Sequence, residues 1–284
     1  MEIRRLGRTM GAEVTRVDLN HLGAPAFAQI RDAFHVHKVI AIRDQQLTPA
    51  GQIAFSRRFG ALEDQLNAHY TIDGCPEVLV LSNDVRDGKP VGLIDGGDYW
   101  HSDSSHREYP SMATILFAVK NPLTGGDTEF ADMVAAYEAL PEPMKGRIAH
   151  LNGIHAVSKL KNKRVQVSPR RPDGADFYER QKAIPDQIWP LVRTHPVTGQ
   201  KALYLSPRFT IGIEGVSAAE ADQLLDSLIA HQVRDEFIYR HQWRDGDLVM
   251  WDNRCVIHRA TGGYSYPDIR TMHRTVIAGD KPFR

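Results

Sequence analysis

The sequence predicts an α+β protein in which a β sandwich or barrel is flanked by helices. Three observations carry this. Strand-like segments are many and short, and turn residues separate them. Helical segments are few and grouped among those strands. There is no GxGxxG loop and no repeating βαβ rhythm, which counts against a nucleotide-binding α/β fold.

The elements follow in chain order. Residues 12–18 alternate as a strand does, Ala26 to His37 has helical character, and Val39 to Ile42 is a short apolar run of buried-strand type. Thr48-Pro49 is a helix opening, with threonine as N-cap and proline in the first turn, and predicts a helix to about Arg58. Strands are expected at Val78 to Leu81 and over 111–119, and a turn at Gly125-Gly126-Asp127. Residues 132–150 are mostly helical, with an interruption at Pro141. Residues 156–186 hold much of the chain's Pro, Arg and Lys without periodicity, which predicts a long lid loop. Leu191 to Thr194 and Ala202 to Leu205 can pair as strands. Ser217 and Glu220 form a capping box ahead of a helix that places Leu224, Leu225, Leu228 and Ile229 on one face. Phe237, Tyr239, His241 and Trp243 alternate, Asp245-Gly246 predicts a hairpin into Asp247 to Trp251, and a last strand is expected over 271–278.

Composition bounds the function. The chain has 284 residues, 42% hydrophobic and 25% charged, as in ordinary globular proteins, and is expected to form one domain over 1–284. Thirty-five basic residues balance thirty-five acidic ones, so no global field points to nucleic acid or to a membrane. The basic run 159–171 reads either as a solvated loop or as a lid that attracts an anion. Two cysteines make no disulfide framework, and no apolar run is long enough for a signal or a span, so a cytoplasmic protein is expected.

The chemistry is concentrated in Trp100-His101-Ser102-Asp103 and in His258. In a strand, side chains two apart share a face, so His101 and Asp103 can reach one metal and His258 can close a third corner. Two histidines and one carboxylate with an open face suit non-haem Fe(II) oxygenases. A competing reading stays open at this point: among 13 histidines, a His-x-Asp pair can also be a structural contact. Arg270 and Arg274, four apart on the expected last strand, can aim two guanidiniums into one cavity, and Thr128 can add a hydroxyl. Two surface arginines on a sheet edge are the plainer alternative. Asp252 and Asn253 either shape a turn or touch the metal's surroundings.

These segments resemble one family. Residues 11–19 (GAEVTRVDL), 53–60 (IAFSRRFG), 100–103 (WHSD), 125–128 (GGDT), 246–253 (GDLVMWDN) and the stretch from His258 to Arg274 are similar to the taurine/phenoxyacetate (TauD/TfdA) family of Fe(II)- and 2-oxoglutarate-dependent dioxygenases. The resemblance implies a double-stranded β-helix (jelly-roll) core. It implies His101, Asp103 and His258 as iron ligands, Thr128 and Arg270 as holders of 2-oxoglutarate, and Arg274 as the contact for the substrate's acid group. It also implies O2 as co-substrate, succinate and CO2 as products, a small anionic organic substrate and a homo-oligomer. The segments 100–105, 135–141 and 189–195 look more like the phenoxyacetate branch, which favours an aryloxyalkanoate-like acid. Taurine or an alkylsulfonate is the alternative, although Gly97 stands where the sulfonate enzymes carry an asparagine. His69 and Tyr70 lie in the region that carries a substrate-binding histidine in those enzymes. Outside the class stand a zinc hydrolase, which needs no Thr128–Arg270–Arg274 set, and a non-catalytic jelly-roll binding protein.

Overall fold

Alternation along three central strands explains how the core is built. In Val39–Ile42, Ala113–Lys120 and Leu248–Asp252, neighbouring apolar residues belong to two different clusters. Ile40, Ile42, Ile115, Phe117, Leu248 and Met250 pack with Ile30 and Phe34 of the helix Ala24–His37. Val39, Ala41, Leu116, Val249 and Trp251 pack instead with Phe130, Ala131, Val256 and Ile257. Side chains two apart share a face, so these strands are covered on both sides and read as continuous apolar runs.

The computed structural model describes residues 1–65, 68–94, 97–158, 161–164, 179 and 181–284. It is a mixed α/β structure with several sheets. The largest sheet has eight strands in the order Glu2–Arg5, Ala12–Thr15, Val39–Ile42, Leu248–Asp252, Ala113–Lys120, Thr271–Ile277, Cys75–Ser82 and Thr71–Ile72. Among the described strands of this sheet, the pair Ala12–Thr15 and Val39–Ile42 is parallel and the other neighbours are antiparallel. A three-stranded sheet of Ile238–His241, Thr128–Asp132 and Val256–Ala260 supplies the opposing side of the core.

Most expected elements are found within a few residues. Thr48 caps the helix Pro49–Arg57, its hydroxyl accepting from Gly51 N. The 132–150 segment splits into Met133–Glu138 and Glu142–Ile148 on either side of Pro141. Ser217 and Glu220 cap the helix Ala218–Gln232, which buries Leu224, Leu225 and Leu228. Val192–Thr194 pairs with Lys201–Leu203.

Two expectations are corrected. The Asp245-Gly246 turn does not join a hairpin: Ile238–His241 pairs with Thr128–Asp132, whereas Leu248–Asp252 pairs with Val39–Ile42 and Ala113–Lys120. A turn dipeptide encodes a reversal of the chain but not which strands then pair. The His101–Asp103 segment is also not a strand. His101 forms a single bridge with His258, and Asp103 lies in the turn that follows. The expected lid loop over 156–186 lies largely outside the described residues. Of its basic run, the described Lys161, Lys163 and Arg164 are ion-paired with Asp186, Asp222 and Asp226.

Candidate active site

The two histidines are set opposite each other by the backbone. His101 N donates to His258 O at 3.0 Å, and His258 N donates to His101 O at 2.8 Å. Residues facing each other across an antiparallel pair point to the same side. The imidazoles accordingly lie 4.2 Å apart between ring centroids. Asp103 completes the group, its oxygens 3.7 Å from His101 Nε2 and 3.9 Å from His258 Nε2. One ligand atom from each of the three falls within 4.8 Å of the others, a span that one small cation can bridge.

The protonation states suit a metal. His101 Nδ1 sits 2.8 Å from Tyr99 O, a carbonyl that only accepts, so this nitrogen carries the proton and Nε2 presents a lone pair. Burial pushes His258 down to about 3, with the nearby His101 adding to the effect. Burial likewise lowers His101. For Asp103 burial acts upward, but His258, His101 and Arg274 outweigh it and carry the carboxyl down to about 2. At neutral pH the group is two neutral imidazoles and one carboxylate, the donor set of an open-faced non-haem iron site.

A second cluster, His195, Asp252 and Cys255, is also close-packed. Its histidine and carboxylate are already engaged. His195 Nδ1 accepts from Val197 N and Thr198 N, and its Nε2 lies 3.0 Å from Asp252 Oδ2. Arg254 grips the same carboxylate at 2.8 and 2.7 Å, and burial pushes the Cys255 thiol well up. This is a structural ion-pair network behind the site.

The triad opens into a cavity of about 240 Å³. Thr128, Arg270 and Arg274 line the same cavity. Thr128 opens the central strand of the small sheet and accepts the Trp243 indole N–H at 3.0 Å, which leaves its own O–H to donate. Arg270 is 9% exposed and stands 5.7 Å over the Trp243 ring, and burial lowers its pKa. Its Nε has no partner among the described residues. Gly126, at φ +75°, lets the backbone pass Arg270: a Cβ there would lie 3.1 Å from Arg270 Cδ. Gly97, at φ +74°, is tighter still, since a Cβ would come within 2.6 Å of His101 Cε1. Leu81, Leu93, Tyr99, Phe209 and Trp251 make one part of the remaining wall apolar, and Glu63, Asp64, Gln65, Ser104, His106 and Arg107 make another part polar.

The sequence-derived residues thus divide. His101, Asp103, His258, Thr128, Arg270 and Arg274 come together. His69 and Tyr70 do not: they sit on the single turn Ala68–Tyr70, their rings 4.5 Å apart, and neither lines the cavity. Sequence reasoning missed Trp243 as a site residue, Phe209 as a wall, and Thr114, whose hydroxyl lies 2.6 Å from Asp103 Oδ2. Trp243 had a signal, because it falls in phase with the buried Tyr239 and His241. Thr114 had none beyond its place in an apolar strand.

A metal-ready triad that shares a cavity with two arginines is the equipment of an enzyme acting on acids at a metal centre. Comparison with known proteins agrees. The family model "Taurine catabolism dioxygenase TauD, TfdA family" matches residues 2–276. The chain is 39% identical to the alpha-ketoglutarate-dependent 2,4-dichlorophenoxyacetate dioxygenase of Cupriavidus pinatubonensis, covering 95% of this chain and 94% of that one. It is 34% identical to the (S)-phenoxypropionate/alpha-ketoglutarate-dioxygenase of Sphingobium herbicidovorans, with 98% and 95% covered. Among solved structures it is similar to AAD-2 in complex with Mn(II) and N-oxalylglycine, with a TM-score of 0.81 and 33% identity over 99% of each chain. The chain belongs to the TauD/TfdA family. It is accordingly a non-haem iron dioxygenase that uses Fe(II), 2-oxoglutarate and O2.

Proposed function

We propose that the cavity hydroxylates a small anionic organic acid of the aryloxyalkanoate type, with His101, Asp103 and His258 holding Fe(II). The observation that carries this reading is that these three ligands line one cavity together with Thr128, Arg270 and Arg274. Iron bound there supplies O2 activation coupled to the decarboxylation of 2-oxoglutarate to succinate and CO2. The chain's own residues position and exclude. Arg270 and the free Thr128 hydroxyl hold the distal carboxylate of 2-oxoglutarate, in a buried place where a guanidinium gains most from an anion. Arg274, less buried and nearer Asp103, holds the substrate's acid group. Leu81, Leu93, Tyr99 and Phe209 receive its apolar part and keep water from the reacting carbon.

The substrate class rests on two supports. The relatives named above act on phenoxyalkanoic acids. A side chain at position 97, where the sulfonate enzymes carry asparagine, would collide with His101. The proposal also includes a jelly-roll core formed by the large and small sheets, one domain over 1–284, a homo-oligomer and a cytoplasmic location. Among the described residues no helix is long and apolar enough to cross a membrane.

The test is succinate formation from 2-oxoglutarate with Fe(II) and O2 across aryloxyalkanoates and alkylsulfonates. Stimulation by aryloxyalkanoates above all is expected. Stimulation by sulfonates alone would overturn the substrate class.

A further inference from the structure

We propose that the Thr114 hydroxyl, aimed by Asn253 and Trp251, holds Asp103 as a ligand through one oxygen only. The inference rests on the reading of Asp103 as a metal ligand. A directed chain of hydrogen bonds carries it. The Trp251 indole N–H can only donate, and its acceptor at 3.0 Å is Asn253 Oδ1. This settles which end of the Asn253 amide is oxygen. Nδ2 therefore faces Thr114 and donates to its Oγ1 at 3.0 Å. With that contact taken, the single hydroxyl proton of Thr114 goes to Asp103 Oδ2, 2.6 Å away. Asn253 Oδ1 also receives the Asp103 backbone N–H at 3.4 Å.

The positions of these residues make the device rigid. Thr114 is 0% exposed and stands in register between Trp251 and Val276 in the large sheet. Asn253 follows directly on the strand of Trp251 and is 2% exposed, and its carbonyl accepts the Ser102 hydroxyl at 2.9 Å. The Trp251 ring also packs on His258 at 4.6 Å. One residue run, 251–253, thereby supports two of the three candidate ligands. Asp103 itself lies in a turn, so nothing in its own backbone pairing orients its side chain.

The consequence is a count of open positions. A metal held through one atom each of His101, Asp103 and His258 would leave its other positions to the 2-oxo acid and O2. A carboxylate binding through both oxygens would fill one of them. Oδ2, 3.9 Å from His258 Nε2, already accepts the Thr114 proton, whereas Oδ1, 3.7 Å from His101 Nε2, is the oxygen turned to the metal with both its lone pairs free of Thr114. Thr114 and Asn253 are positioning residues in this account, because they act through Asp103.

The test uses the full chain loaded with Mn(II), with metal-bound waters counted by water-proton relaxation and then displaced with 2-oxoglutarate. Thr114→Val should bind Mn(II) with fewer exchangeable waters and need at least tenfold more 2-oxoglutarate, within the range of about 10- to 100-fold expected when a ligand's support is removed. Thr114→Ser should restore both values. Wild-type water count and 2-oxoglutarate affinity in Thr114→Val would overturn the proposal. Should the valine variant fail to fold, Thr114→Cys, whose S–H is a weak donor, carries the same test with the same two outcomes. Asp103→Ala in the same titration separates the underlying reading: if it binds Mn(II) as wild type does, the ligand assignment fails first.

Discussion

Arg270 and Arg274 are four residues apart and share one cavity, yet their surroundings give them different work. Arg270 is pressed between Gly126 and Trp243, whereas Arg274 stands in a half-buried position that also lowers Asp103. Each charge-assisted contact to an acid is worth about 1.5–3 kcal/mol. Arg270→Ala is therefore expected to raise the KM for 2-oxoglutarate roughly tenfold to a hundredfold with a smaller effect on the organic acid. Arg274→Ala should do the reverse, and steady-state kinetics with each substrate varied in turn would read the split. Equal effects on both constants would refute the division. Gly97→Ala makes a second residue-scale prediction. Its Cβ meets the His101 ring at 2.6 Å, so metal affinity should fall about tenfold or more while the circular dichroism stays native. At this scale the sequence was most legible for residues whose chemistry is distinctive, the three candidate ligands and the two arginines, which the fold brings to one cavity. Thr114 was hidden because a threonine in an apolar strand reads as packing until its neighbours are placed. His69 and Tyr70 lie outside the cavity's lining; for them the sequence offered a neighbourhood rather than a direction.

At the scale of elements, the helix Met133–Glu138 begins under Asp132, whose carboxylate caps Val134 N and Ala135 N and pairs with Lys38 Nζ at 2.8 Å. Both partners are buried, at 7% and 0% exposure. Removing one side of such a pair strands the other charge, so Lys38→Ala should cost about 3–5 kcal/mol. A loss under 1 kcal/mol in denaturant unfolding would show that water reaches Asp132. Ser217→Ala at the capped helix Ala218–Gln232 should cost only about 1 kcal/mol, because its cap is exposed. Helices of this kind were readable because caps and 3.6-residue periodicity are local. Strand partners were not. The Asp245-Gly246 turn gave the reversal correctly, but Ile238–His241 and Leu248–Asp252 went to different sheets, since pairing is decided by residues more than a hundred positions away. The His101–His258 bridge is non-local in the same way, and it does the work that a continuous strand was expected to do.

For the whole molecule, the buried histidines set the response to acid. Burial carries His155 and His258 down to about 3, and His106 to the same value with help from Arg107 and Arg208. An unfolded histidine takes up its proton near 6.5. Between these values the unfolded chain binds more protons, so stability falls as pH drops from about 6.5 towards 3. Each unit of difference is worth about 1.4 kcal/mol per group. Melting temperatures of the metal-free protein should therefore decline steeply below pH 6.5. Added Mn(II) should offset the part due to His258 but not that due to His155, which lies away from the triad against Ser105 and Thr210. A flat profile from pH 7 to 4 would mean that these rings are hydrated in solution.

The central claim is that one metal, held by His101, Asp103 and His258, runs the reaction of the whole cavity. Fe(II) binding and succinate formation with an aryloxyalkanoate, measured side by side for wild type and His258→Ala, test it most directly. The account predicts that the wild type binds one Fe(II) and forms succinate in step with substrate, and that His258→Ala loses both. A His258→Ala protein that kept iron and turnover would contradict it.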